Sequence, residues 1–310
     1  MGVINALAET DALAVMGEAD AFFGKITPQL LAAARRLRWV QAPTVSLEHY
    51  IFPELVAHPA VLTNMRGIFS DVIAEQVFGY VLCFSRNLHH YIRRQASRRW
   101  EPLGGEAGRV DNTIGPAHVS PIDRAHRHLA GATMGVVGLG GIGLEVARRA
   151  RAFGMRVIAV EPRPPKHPEG IEHLWPPHEL HRLLDQSDYV VIAAPHTPET
   201  ARSFSAEQFK QMKPGAYLIN VGRGAIVDLA ALVAVLESGQ LGGAALDVFE
   251  TEPLPPEHPL WDMEKVIITP HVAGYGPMIA ARHLDVVTTN LRRFVRDEPL
   301  VNVVNKAAWY

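Results

Sequence analysis

From Thr133 onward, short and nearly all-apolar runs recur along the chain: "TMGVVG", "RVIAV", "YVVIAA", "AYLINV", "AALDV" and "VIIT". Most are separated by a stretch with helical spacing. Runs of this kind are apolar on both sides of the strand. Their alternation with helices predicts a parallel sheet covered on both faces. The first hundred residues repeat the rhythm more weakly, with strand-like "ADAFFGKI", "RWVQAP" and "AVLTN" among helix-like pieces such as "ITPQLLAAARRL". Asp71 to Arg94 reads as one long helix, apolar on most faces between Val72 and Phe84, which implies burial. The pattern breaks in the Gly- and Pro-rich stretch 101–121, and a domain boundary is placed at its start. A last helix is expected over Pro277–Arg296.

The bulk numbers set limits on this picture. A chain of 310 residues is longer than most single cores, so two domains are expected. A net charge of -2 makes no electrostatic case for nucleic acid or an anionic membrane. The single cysteine, Cys83, suits a reducing compartment. The opening "MGVINALAET" has neither the charge pattern of a signal peptide nor the hydroxyl residue of a myristoylation site, and no apolar run is long enough to span a bilayer. A soluble, cytoplasmic protein is the expectation.

The chemistry begins at "GVVGLGGIGLEVARRARAFGMRVIAVEPRP". Gly138, Gly140 and Gly143 form G-x-G-x-x-G after a strand and at the start of a helix. A second strand then ends in Glu161. In that context Gly138 permits a tight turn, Gly140 admits a pyrophosphate, and Gly143 allows close helix–strand packing. The helix start, through Gly141 and Ile142, offers free N–H groups to phosphate. Glu161 would accept from the adenosine ribose hydroxyls and repel a 2'-phosphate, so NAD is expected over NADP. Arg163 and Lys166 lie close behind and soften that preference.

Ligands of open parallel sheets sit beyond the carboxyl ends of the strands. After "AYLINV" comes Arg223, after "AALDV" come Glu250 and Glu252, and after "VIIT" comes His271. This set suits reduction of a 2-keto acid. The guanidinium grips a carboxylate and polarises the neighbouring carbonyl. The imidazolium gives the proton while hydride arrives from a nicotinamide. A carboxylate bonded to the imidazole would orient it and favour its protonated form. For each residue alone a surface role is the commoner case; their joint placement behind a dinucleotide loop changes the odds. His178 and His181 lie one helical turn apart, but zinc needs three or four ligands, so no metal is expected.

With "GLGGIG", the stretches "APHTPET" (194–200), "MKPGAYLINVGRGAIVD" (212–228), "AALDVFETEPLP" (244–255) and "ITPHVAG" (268–274) resemble the D-isomer-specific 2-hydroxyacid dehydrogenase family, over nearly the whole chain. The resemblance implies two doubly wound, Rossmann-like α/β domains with parallel sheets and the active site in the interdomain cleft. The NAD-binding domain would cover 101–283, with an extended arm at 101–127. A flavodoxin-like substrate domain would combine 1–100 and 284–310, and it begins later than the family's usual first strand. Arg223 would bind substrate, His271 would be the acid/base and Glu252, rather than Glu250, its partner. Asp247 would hold the nicotinamide ring and Pro195 would line the adenine pocket.

Glu252 also separates the chain from the similar formate dehydrogenases, which carry glutamine there. Val45 and Ser46 fall where the family has an Ala-Gly pair facing the substrate carboxylate, and Arg66 is placed near the same pocket. The resemblance implies a homodimer; the arm is longer than the family's, and it is expected to reach across that dimer to help cover an active site. The expected activity interconverts a small 2-keto acid, of glyoxylate or hydroxypyruvate type, with its D-2-hydroxy acid. The alternative on the same fold is an NADH-sensing, non-catalytic corepressor, which would carry the same three residues.

Overall fold

The computed structural model describes residues 2–108, 117–163 and 168–309. The chain divides into two compact units, Met1–Phe69 with Pro195–Pro198 and Gly276–Tyr310, and Ser70–Ala194 with Glu199–Tyr275.

The first unit holds a three-stranded parallel sheet in the order β1 (Ala21–Phe23), β2 (Trp39–Gln41), β3 (Val61–Thr63). These are the three strand-like runs read in the sequence. The helix Ile279–Val295, from the far end of the chain, belongs to this unit. Its Asn290 is fully buried and donates to Gln41 Oε1 (3.0 Å) and to the Val301 carbonyl (3.1 Å), while its own oxygen accepts from the Val301 N–H (2.8 Å). The Phe294 ring lies 5.3 Å from that of Trp39.

The second unit is a seven-stranded parallel sheet. Its strands are β4 (Thr133–Val137), β5 (Arg156–Val160), β6 (His173–Trp175), β7 (Tyr189–Ile192), β8 (Tyr217–Asn220), β9 (Gly243–Leu246) and β10 (Val266–Ile268). Their spatial order is β10-β9-β8-β7-β4-β5-β6, so the winding reverses between β4 and β7. That reversal is the crevice in which doubly wound sheets take their ligands. Successive residues feed opposite cores. Val190, Ile192, Leu218 and Leu246 enter one, while Tyr189, Val191, Ile219 and Ala245 enter the other. Fully burying side chains of this size contributes about 1.5–3 kcal/mol each.

The structure departs from the sequence reading in three places. The expected helix from Asp71 to Arg94 is two, Ser70–Ser85 and Leu88–Ala96. Asn87 separates them with φ 55, a left-handed conformation asparagine adopts at low cost, and its side chain donates to the Ala125 carbonyl at 2.7 Å. The units divide at Ser70 instead of at 101, because Ala74, Val77, Phe78 and Val81 pack into a core of the seven-stranded sheet. The edge strand β6, in "HLW" just before His178 and His181, is a strand that the apolar runs of the sequence did not include. Within the arm, residues 109–116 lie outside the described residues. No helix among the described residues is long and apolar enough to cross a membrane.

Candidate active site

The glycine turn follows β4 and opens the helix Gly141–Ala152. Gly138 has φ +91, and a Cβ there would come 2.9 Å from the backbone of Ala194. A Cβ on Gly143 would fall 2.1 Å from the Gly138 carbonyl, so helix and strand close only with glycine. Gly140 differs. A Cβ on it would meet nothing within 4 Å, so its side of the turn is open at the helix N-terminus. Ile142 packs partly buried against the core and anchors the first helical turn. Glu161, next after β5, accepts from the Leu139 N–H through Oε2 (2.8 Å) and from the Arg163 N–H through Oε1 (3.0 Å). An open glycine cradle with a carboxylate braced beside it fits a dinucleotide. Lys166 lies outside the described residues.

Three strand ends then line up. Asn220, Leu246 and Ile268 are neighbours in register on β8, β9 and β10. Adjacent strands run about 4.8 Å apart, so the loops that follow leave one edge side by side. Two glycines seat the loop after β8 against its neighbours after β7 and β9. A Cβ on Gly222 would meet the Ala194 carbonyl at 2.6 Å, and one on Gly224 would overlap the Phe249 backbone at 1.8 Å. Between them Arg223 is half-buried, its Nη1 donating to the Gly222 carbonyl at 2.7 Å. The Asn220 side chain braces the turn, donating to the Arg223 carbonyl (3.0 Å) and accepting from the Gly222 N–H (3.0 Å).

Glu252 faces both neighbours. Its Oε1 accepts from the Phe249 N–H (3.0 Å), and its Oε2 lies 2.7 Å from His271 Nδ1. A carboxylate only accepts, so Nδ1 carries the hydrogen and Nε2 is the nitrogen left for other chemistry. Glu250 instead lies 3.7 Å from Arg202. His271 sits at φ 53, uncommon outside glycine, and its N–H donates to the Asp247 carbonyl at 2.9 Å.

Asp247 is 2 % exposed. Its Oδ1 accepts from Thr269 Oγ1 (2.5 Å) and the Val272 N–H (2.9 Å), and its Oδ2 from the Ala273 N–H (3.0 Å). The Tyr80 hydroxyl meets Thr269 Oγ1 at 2.5 Å, and burial pushes this phenol up to about 12. Neither Thr269 nor Tyr80 stood out in the sequence. A helix residue gives no sign of which loop its hydroxyl will meet 189 positions later.

In the first unit, Val45, Ser46 and Arg66 sit on the loops beyond β2 and β3. Asn64 links these loops, donating to the Val45 carbonyl (2.9 Å) and accepting from the Arg66 N–H (3.1 Å). The Ser46 carbonyl accepts from Thr44 Oγ1 (2.7 Å), and the Arg66 side chain is exposed. Pro195 follows β7 and groups with this unit. His178 lies in a 3₁₀ turn, Pro177–Glu179, before the short helix Leu180–Leu184 that carries His181. Among the described residues no cluster of His, Cys, Asp and Glu could hold a metal ion.

A 3-2-1-4-5-6 strand order extended by one strand, an open glycine cradle and a histidine–carboxylate pair fit a nicotinamide-dependent oxidoreductase. A sequence model of the D-isomer-specific 2-hydroxyacid dehydrogenase NAD-binding domain matches residues 78–273. A glyoxylate reductase of Korarchaeum cryptofilum is 31% identical over 91% of this chain and 80% of its own. Among solved structures, a D-isomer-specific 2-hydroxyacid dehydrogenase from Xanthobacter autotrophicus Py2, in complex with NADPH and MES, superposes with a TM-score of 0.76. It is 31% identical, over 94% of this chain and 85% of that one. An NADPH-dependent glyoxylate/hydroxypyruvate reductase from Sinorhizobium meliloti, in complex with NADP and sulfate, does so at 0.76 and 28% identity, over 94% and 88%. The chain belongs to the D-isomer-specific 2-hydroxyacid dehydrogenase family, and it is an NAD(P)-dependent 2-hydroxyacid oxidoreductase.

Proposed function

We propose that the protein reduces a small 2-keto acid, of the glyoxylate or hydroxypyruvate type, to its D-2-hydroxy acid, with NADH preferred over NADPH. The observation that carries the reading is the 2.7 Å bond between His271 Nδ1 and Glu252, which leaves Nε2 as the ring nitrogen for proton transfer. Arg223 holds the substrate carboxylate with its planar fork and draws electron density from the adjacent carbonyl. His271 donates the Nε2 proton to the carbonyl oxygen, and Glu252 keeps the ring oriented and offsets its charge. When bound, the nicotinamide ring supplies the hydride.

Gly138, Gly140, Gly141, Ile142 and Gly143 form the pyrophosphate turn in this reading, Pro195 lines the adenine side, and Glu161 takes the ribose hydroxyls. Asp247 uses three of its roughly four acceptor directions internally, which leaves one for the nicotinamide amide. On the first unit, Val45, Ser46 and Arg66 contact the substrate. The protein acts as a homodimer.

The test is oxidation of NADH and of NADPH against a panel of 2-keto acids. Turnover of glyoxylate or hydroxypyruvate with NADH ahead of NADPH is expected, and Glu161→Ala should narrow that ratio. NADH binding without turnover on any member of the panel would sink the reading in favour of a sensor. Light scattering in solution checks the dimer.

A further inference from the structure

We propose that Tyr80 and Thr269 are positioning residues for His271, holding its turn against Glu252 through the buried carboxylate of Asp247. The proposal rests on the reading of His271 as the acid. The donors to Asp247 come from one short segment: the Thr269 hydroxyl, the Val272 N–H and the Ala273 N–H, with His271 between them. The His271 N–H itself goes to the Asp247 main-chain carbonyl. Asp247 therefore grips the turn by side chain and backbone together.

The directions of the hydrogens follow from the chemistry. A carboxylate only accepts, so Thr269 gives its proton to Asp247 Oδ1, and its oxygen must accept from the Tyr80 O–H. Tyr80 is 3 % exposed and stands in the helix Ser70–Ser85, packed into the core beneath the sheet. It links that rigid element to a strained turn. A non-glycine residue held at a left-handed φ costs about 1–3 kcal/mol and persists only where its surroundings over-determine it. The chain Tyr80–Thr269–Asp247 supplies that determination. Packing alone does not account for Tyr80, since phenylalanine would fill the same space without a buried hydroxyl in need of a partner.

The test compares Thr269→Val, Thr269→Ser, Tyr80→Phe and His271→Ala in steady-state kinetics, NADH binding and melting temperature. Thr269→Val should lower kcat by about 10–100-fold, the size expected when a catalytic group is misplaced by an ångström. Its NADH affinity should fall by less than kcat, since the glycine cradle is untouched and Asp247 keeps its two backbone donors. Thr269→Ser keeps the hydroxyl and should restore most of kcat. Tyr80→Phe, which preserves the core, should lower kcat severalfold with little change in melting temperature. In NMR spectra of the cofactor-free protein, the His271 Nδ1–H resonance should be sharp in the wild type and in Thr269→Ser, and broadened in Thr269→Val.

Wild-type kcat in both Thr269→Val and Tyr80→Phe, or equal losses in Thr269→Val and Thr269→Ser, would overturn the proposal. If His271→Ala remains active, the acid assignment itself is wrong. If His271→Ala is dead while Thr269→Val and Tyr80→Phe match the wild type, only the positioning role fails.

Discussion

Glu252 and Arg223 stand on neighbouring loops but handle charge differently, and substitutions should separate them. Glu252→Gln keeps an oxygen for the His271 Nδ1–H and loses the charge that offsets the imidazolium. It should lower kcat by about 10–100-fold and leave KM for the keto acid nearly unchanged. Arg223→Lys keeps the charge and loses the fork, so KM should rise by about tenfold or more. Steady-state kinetics read both. A residue outside this trio should contribute to acid stability. His89 is 9 % exposed, and burial pushes its imidazole down to about 4, against a bond from its Nδ1–H to the Cys83 carbonyl. The unfolded chain protonates this ring near its ordinary 6.5, while the native protein does not until about 4. Stability should therefore be intact above pH 6.5 and fall toward pH 4, by something on the order of 2–3 kcal/mol. Urea midpoints across that range measure it, and His89→Gln should flatten the dependence.

At the scale of elements, the loops after β8 and β9 approach so closely that one hydrogen atom matters. Gly224→Ala would drive a methyl group into the Phe249 backbone. About 1–3 kcal/mol should be lost, together with most activity, since the same contact holds the loop of Arg223 against the backbone of Phe249 and Glu250. Denaturant titration and turnover check this together. The sequence made the strong elements legible because they are long apolar runs with glycine turns between them. The trio proposed for catalysis was legible for a related reason, since parallel strands leave their following residues at one edge. What stayed hidden lacks a local signature. The strand His173–Trp175 is three residues at an open edge, with no apolar run to mark it. A helix apolar on most faces does not say which sheet it covers, so the unit boundary at Ser70 was unreadable. Asn87 breaks its helix through a bond to Ala125, which no window around Asn87 contains.

At the scale of the molecule, the first unit is assembled from the two ends of the chain. Asn290, fully buried, joins them through Gln41 and Val301. Asn290→Leu would remove these bonds and leave the Val301 N–H and carbonyl without the partners seen here. It should cost about 2–3 kcal/mol. Hydrogen exchange should quicken in residues 39–63 and 290–304 and stay unchanged around β4 and β7.

The place of β10 in the sheet has a kinetic consequence. This strand is three residues long, lies at one edge of the sheet, pairs among the described residues only with β9, and is followed directly by the segment that ends in His271. The proposed trio is therefore complete only once a three-residue strand at one edge of the sheet has docked. On dilution from denaturant, ellipticity and tyrosine fluorescence should recover ahead of turnover. Enzymatic activity would serve as a clock for the last step of assembly, and a refolded sample could look native by spectroscopy while still unable to transfer a proton.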